Sequence, residues 1–169
     1  MDFFCETIVR RKKGAKEYIL ALAMVVMLVA IVSAAFMLIK ILGGFFLLAI
    51  AGIIYLFYIG ITSLNIEYEY ALTNGELDID KITARRKRKR ILTVNSSLFE
   101  YFAPMTKEHI QRYNDASVEK RFDFTSNTGS DGVYFAIFRT DGVKTCITFE
   151  PNERMLEEFS RTVRINRSL

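Results

Sequence analysis

The chain has 169 residues, 51% of them apolar, with 23 Lys and Arg against 19 Asp and Glu for a formal charge of +4. That length holds one small domain beside an apolar anchor, and so modest a charge excludes a wholly basic nucleic-acid binder. The two cysteines, Cys5 and Cys146, exclude a disulfide framework and have no metal-ligand spacing.

The first 17 residues carry five basic side chains, Arg10, Arg11, Lys12, Lys13 and Lys16, against three acidic ones. They read as a basic cytoplasmic segment ahead of a membrane helix. Residues 18–64 hold two apolar stretches, 18–39 and 41–64, split by Lys40 and followed at the break by Gly43-Gly44. Each reaches the roughly 20 residues that cross a hydrocarbon core, with no Asp, Glu or Arg inside it. Lipid offers backbone amides no partner, so both stretches are expected to be helices, about 18–39 and 45–64, reversing near the two glycines. A cleaved signal peptide has a shorter apolar run, and a buried soluble hairpin would need a polar layer that the remaining residues, with a core of their own, cannot supply. Basic residues flank both outer ends, while Lys40 stands alone at the reversal. The positive-inside rule therefore puts both termini on the cytoplasmic side of the cell membrane. Ala30, Ala34, Ala35, Gly52 and Gly60 are small enough to allow close helix approach.

Residues 65–169 are expected to form one cytoplasmic, mainly β domain. Ile66, Tyr68, Tyr70 and Leu72 alternate with Glu67, Glu69, Ala71 and Thr73, and Asn74-Gly75 supplies the positive-φ pair of a type I′ hairpin. With Thr73 opposite Glu76, Tyr70 faces Ile79 on the apolar side and Glu69 faces Asp80 on the other, a like-charge pair expected to be solvated. The return strand is followed by Arg85, Arg86, Lys87, Arg88, Lys89 and Arg90. A strand of eight residues spans roughly 26 Å, so an equal return brings Thr83 back opposite Ile66 and sets the basic run at about headgroup height.

Residues 91–94 read as a third strand, and 96–102 with 107–113 as irregular or short helical connections. Residues 118–125 and 132–140 read as strands flanking a polar turn at 127–131, and Asp141-Gly142 turns the chain into a strand over 143–150. Pro151 ends the sheet. Asn152 is placed to cap a helix with Met155, Leu156, Phe159 and Val163 along one side and Glu157, Glu158, Arg161 and Arg164 elsewhere. The expected fold is a membrane helical hairpin followed by an antiparallel sheet or partial barrel of six or seven strands, closed by a C-terminal helix.

The stretch "IEYEYALTNGELDIDKITARRKRKRILTV" resembles the opening of the bacterial pleckstrin-homology-like (PH-like) domains that follow membrane helices, with an aromatic strand, a tight turn, a return strand and a basic segment. "TFEPNERMLEEF" is similar to the last strand and closing helix of that fold. The arrangement also resembles small uncharacterised two-helix proteins of Gram-positive bacteria. The resemblance implies a membrane-tethered domain with no established activity.

No residue pattern supports catalysis. His109, the one histidine, has no neighbouring nucleophile and reads as an exposed loop or helix residue. Cys146 alternates with Thr145 and Ile147 in a strand and reads as packed and inert. "GELDID" and "NTGSDG" lack the acid spacing of a calcium loop, and no phosphate-cradling glycine loop occurs. No cofactor or metal is expected. The basic residues Arg10, Arg11, Lys12, Lys13, Lys16 and 85–90 read as a lipid-headgroup layer; the competing readings are a solvated strand extension and, least supported, a nucleic-acid patch lacking interleaved aromatics. The expected function is a non-enzymatic, membrane-anchored interaction domain contacting anionic lipid, with a membrane or cytoplasmic protein as further partner. The alternative is an accessory or regulatory subunit of a transporter or other membrane complex.

Overall fold

The computed structural model describes residues 3–37, 39–129 and 131–163. The chain divides into two compact units. One draws on the residues up to Lys12, on Glu67–Ile82 and on the chain from Lys87 onward; the other comprises Lys13–Ile66 and Thr83–Arg86.

The first unit begins with a strand the sequence did not announce. Residues Phe4–Arg10 form β1, inside the segment read as a basic lead-in to the membrane. Cys5 is buried while Phe4, Glu6, Ile8 and Arg10 are exposed, so the inward side carries Cys5, Thr7 and Val9 and the larger apolar side chains Phe4 and Ile8 face outward.

In the second unit, α1 (Ala15–Met37) and, after the short α2 (Ile39–Leu42) and the 3₁₀ turn Gly43–Phe45, α3 (Phe46–Ser63) are the two apolar helices. Gly43 takes a φ of +53° at the reversal, a conformation glycine adopts at little cost. Both helices are long and apolar enough to cross a membrane. Phe36 meets Phe46 edge to face at 5.2 Å near the reversal. Further along, Gly60 leaves space that Met24 fills, its Cε lying where a Cβ at Gly60 would sit. The two helices are therefore antiparallel neighbours. Gly52 has open space instead.

The domain continues with β2 (Ile66–Thr73), β3 (Glu76–Thr83), β4 (Lys87–Asn95), β5 (Phe99–Pro104), the short helix α4 (Ile110–Tyr113), β6 (Lys120–Asp123), β7 (Tyr134–Thr140), β8 (Val143–Phe149) and helix α5 (Glu153–Thr162). Eight strands among the described residues make two four-stranded sheets, ordered β1-β2-β3-β4 and β5-β7-β8-β6. The β1–β2 pairing is antiparallel, from Phe4 opposite Thr73 to Arg10 opposite Glu67. The apolar helices are thus an insertion between two hydrogen-bonded neighbours of one sheet.

Three local expectations change. The basic run starts β4 instead of preceding it, because Ala84-Arg85 turns the chain immediately after Thr83. Residues Phe99–Pro104, read as part of a connection, pair with β7 from Phe99 opposite Phe138 to Pro104 opposite Tyr134, burying Phe99 and Ala103. The strand expected over 118–125 shortens to β6 and does not form a hairpin with the next strand. It runs parallel to β8, Lys120 opposite Thr145, through the intervening β7 crossover.

The two Gly-containing hairpins are as read: Asn74 and Gly75 have φ of 48° and 84°, Asp141 and Gly142 of 52° and 80°, the positive pairs of type I′ turns. Asn152 caps α5, its Oδ1 accepting from Met155 N at 2.9 Å. The same amide donates to Thr7 Oγ1 and, at 3.3 Å, to Cys5 Sγ, tying the helix start to β1. Met155, Phe159 and Val163, spaced by four, are buried, and Phe159 meets Phe99, Phe102 and Phe149 within 6 Å. Tyr70 joins the two sheets: its ring lies 5.8 Å from Phe149, and its hydroxyl donates to Phe124 O at 2.6 Å. Burial of that phenol pushes its pKa upward. Glu158, expected on the polar side of α5, is buried against Arg161; Arg164 lies outside the described residues.

Candidate membrane-surface site

The alternating sequence of 85–90 sorts its charges by type. Side chains alternate across a strand, so Arg88 and Arg90 share one face of β4 while Lys87 and Lys89 share the other. Arg88 meets Glu69 of β2 and, at 2.7 Å, Asp80 of β3. Arg90 bridges Asp80 and Asp78, both at 2.7 Å, and Thr93 donates to Asp78 at 2.6 Å. The bond to Asp80 raises the Arg90 guanidinium above its ordinary pKa.

This network corrects the reading of Glu69 and Asp80 as a solvated pair. Both carboxylates are buried, at 3% and 5% exposure, and the arginines close over them. Two like charges meet on one face because the third strand brings their counter-ions. At the other edge, Arg10 pairs with Glu67 at 3.1 Å, and Arg11 donates to Tyr68 Oη at 3.2 Å with Asp123 at 3.8 Å. The outer face of this sheet is an ion-pair ladder from β1 to β4.

The expected headgroup residues therefore divide. Arg10, Arg11, Arg88 and Arg90 spend their charge on carboxylates of the protein. Lys87 and Lys89 are exposed, as are Lys12 and Lys16, while Lys13 is half-buried. Among the described residues, none of these five lysines forms an ion pair. Guanidinium forks suit fixed carboxylates, whereas the ammonium is a strongly hydrated point charge on a flexible stem.

Arg85 and Arg86 lie in the β3–β4 turn, which belongs to the helical unit. Ala84 N donates to Asn65 O at 2.9 Å, so the chain does return to the exit of α3. Arg86 Nη2 donates to Tyr58 Oη at 2.8 Å, and its guanidinium carbon stands 5.4 Å from the centre of the Tyr58 ring. Sequence reading missed Tyr58. The available signal was an interfacial tyrosine near the end of an apolar helix.

Elsewhere, His109 is not a bare loop residue: its Nδ1 lies 2.7 Å from Tyr101 Oη, and Arg112 stands over the Tyr101 ring. Lys144 and Ser117 hold the Asp115 carboxyl well below the usual carboxylate range, with Lys144 Nζ at 2.8 Å. Cys146 packs with Ala103, Phe135 and Ile137, and burial pushes its thiol up to about 11. No group of His, Cys, Asp and Glu among the described residues is arranged to hold a metal ion.

Searches of curated proteins and of solved structures return no match. A family model described as a bacterial PH-like domain (DUF6106) does match, over residues 1–166, taking in β1, the apolar helices, both sheets and α5 as one unit of descent. The chain belongs to the bacterial PH-like domain family DUF6106.

Proposed function

We propose that this protein is a non-enzymatic, multi-pass protein of the cell membrane that holds its PH-like domain as an interaction module at the cytoplasmic surface. The supporting observation is the insertion itself. The chain leaves the sheet at Arg10 and re-enters it opposite, at Glu67, with two membrane-length apolar helices between. A domain interrupted in this way is tethered at two adjacent points, and the hairpin must leave and return on the same side. The basic residues at both outer helix ends choose the cytoplasmic side.

Lys12, Lys13, Lys16, Lys87 and Lys89 are the proposed contacts with anionic lipid. Each is worth up to about 1 kcal/mol near an anionic leaflet, less once the layer is screened. Arg10, Arg11, Arg88 and Arg90 of the same runs pair with carboxylates of the protein instead.

Single cysteines at Lys40 and at Lys107, in a background lacking Cys5 and Cys146, test the orientation. Lys40 is expected to react with an impermeant reagent from outside intact cells, and Lys107 only after lysis. External reaction at Lys107 would overturn the cytoplasmic assignment.

A second reading, an accessory subunit of a membrane complex, is favoured by Gly52. Gly60 is already occupied by Met24, but the open space at Gly52 leaves a second close-approach point on α3 for a helix of another protein.

A further inference from the structure

We propose that the β3–β4 turn is an interfacial clamp in which Arg86, laid over Tyr58, binds the phosphodiester group of a membrane phospholipid. The inference rests on the membrane anchoring proposed above and assigns one side chain a specific ligand within it.

Depth selects the ligand. Tyr58 lies five residues before Ser63, the last residue of α3, or about 7.5 Å along the axis at 1.5 Å per residue. The headgroup layer on each side of a bilayer is about 5–7.5 Å thick, the difference between a 40–45 Å membrane and its 30 Å core. An α3 that ends at the outer limit of the headgroups thus sets the Tyr58 ring at their inner boundary, the level of an aromatic belt. Tyr18, three residues into α1 at the same end of the antiparallel pair, supplies a second ring near that level. Phosphate is the anion of the layer immediately outside that boundary.

Arg86 is equipped to meet it. Tyr58 Oη takes one of its five N–H groups, and the guanidinium carbon lies 5.4 Å from the ring centre, within cation–π range. Unlike Arg88 and Arg90, Arg86 has no carboxylate partner among the described residues, and it is exposed. The planar fork that remains matches two phosphate oxygens.

The turn that aims it is built against local preference. Ala84 and Arg85 both have φ of 55°, and Arg86 N donates to Thr83 O at 3.1 Å, closing a two-residue hairpin. The other two tight hairpins meet the same backbone demand with Asn-Gly and Asp-Gly. The one hairpin that uses unsuited residues is the one placed at α3. Strained backbone of this kind persists where side-chain position matters more than local stability.

The test uses the full chain labelled with ¹³Cζ-arginine in vesicles of phosphatidylcholine alone, which carry phosphate but no net charge. A guanidinium paired with phosphate sets carbon and phosphorus about 4 Å apart, close enough for ³¹P to dephase the ¹³C signal. Dephasing is expected in the parent and is expected to lose its Arg86 component in Arg86→Gln. Tyr58→Leu, a change on α3 outside the turn, should lower it as well, so a folding defect in the turn variant does not decide the matter. Dephasing unchanged in both variants overturns the clamp. Dephasing that appears only on adding anionic lipid also overturns it, since charge attraction alone would then explain the contact. Failure of the anchoring reading shows separately, as release of the chain from the vesicles by alkaline carbonate.

Discussion

Arg88 and Arg90 are cations whose removal strands two buried carboxylates, and Lys87 and Lys89 are cations whose removal strands nothing. Breaking a buried pair by deleting one partner costs about 3–5 kcal/mol, and water reaching the guanidinium groups, whose side chains are 55% and 52% exposed, recovers part of that. Arg88→Gln is expected to cost about 2 kcal/mol in a thermal or denaturant melt. Lys87→Gln with Lys89→Gln is expected to stay within about 0.5 kcal/mol of the parent. The lysine pair should instead reduce the anionic lipid retained through purification, measured by phosphorus content and mass spectrometry. The reverse pattern, stable arginine variants and unchanged lipid in the lysine variant, would refute the division of labour. The run itself was plain in the sequence. Its division was not, because it depends on β4 beginning at Lys87 and on Asp78 and Asp80 facing the same way. Cys146 gives a prediction in pH. Its thiol titrates near 11, above the ordinary value of about 8.5–9, so the stabilisation from keeping it neutral is complete below pH 8.5. It is lost as the pH rises through the folded value. The native protein is expected to resist alkylation at Cys146 at pH 8 and to react once unfolded; rapid native labelling there would show that the strand is open.

At the scale of the element, the hairpins separate what local sequence can specify from what it cannot. Asn74-Gly75 and Asp141-Gly142 were legible because their residues suit positive φ. Ala84-Arg85 was not, because neither residue signals a turn and only the packing at Asn65 and Tyr58 explains its conformation. A non-glycine residue with left-handed backbone costs roughly 1–2 kcal/mol, so Ala84→Asn with Arg85→Gly is expected to stabilise the protein by about 1 kcal/mol. Gly75→Val should do the opposite and cost about 2 kcal/mol. Besides the φ of 84°, its Cβ would stand 3.2 Å from Thr162 Cγ2 and 3.3 Å from Ser96 Oγ. Equal melting temperatures for the two turn variants would contradict the assigned backbone. β1 was illegible for a different reason. Its partner lies on the far side of both apolar helices, and its inward residues Cys5, Thr7 and Val9 make a weak apolar signal beside Phe4 and Ile8 on the exposed side.

For the whole molecule, the discontinuous domain defines which pieces can fold. A fragment beginning at residue 65 lacks β1 and leaves one edge of β2 unpaired, together with the site on Asn152 that Cys5 and Thr7 occupy. Because Arg10 and Glu67 are register partners, replacing residues 13–65 with a short glycine-containing linker should restore a soluble domain that melts cooperatively. The fragment without β1 is expected to melt lower or to aggregate; identical melts would show that β1 is dispensable. The fold class was legible because hydropathy period and turn chemistry are local, whereas the parallel β6–β8 pairing and the β1–β2 closure are long-range and leave little local trace. The closure also makes order of synthesis matter. β1 is translated first and, under the anchoring proposed above, must wait while two helices of membrane length are made and inserted before β2 appears. Only an even number of crossings returns β2 to the compartment where β1 is waiting. A chain whose second helix fails to insert would keep β1 and β2 on opposite sides of the bilayer, with an open strand edge available to proteases and to other chains. Under the anchoring proposed above, the seven residues of β1 can find their partner only when both helices have crossed.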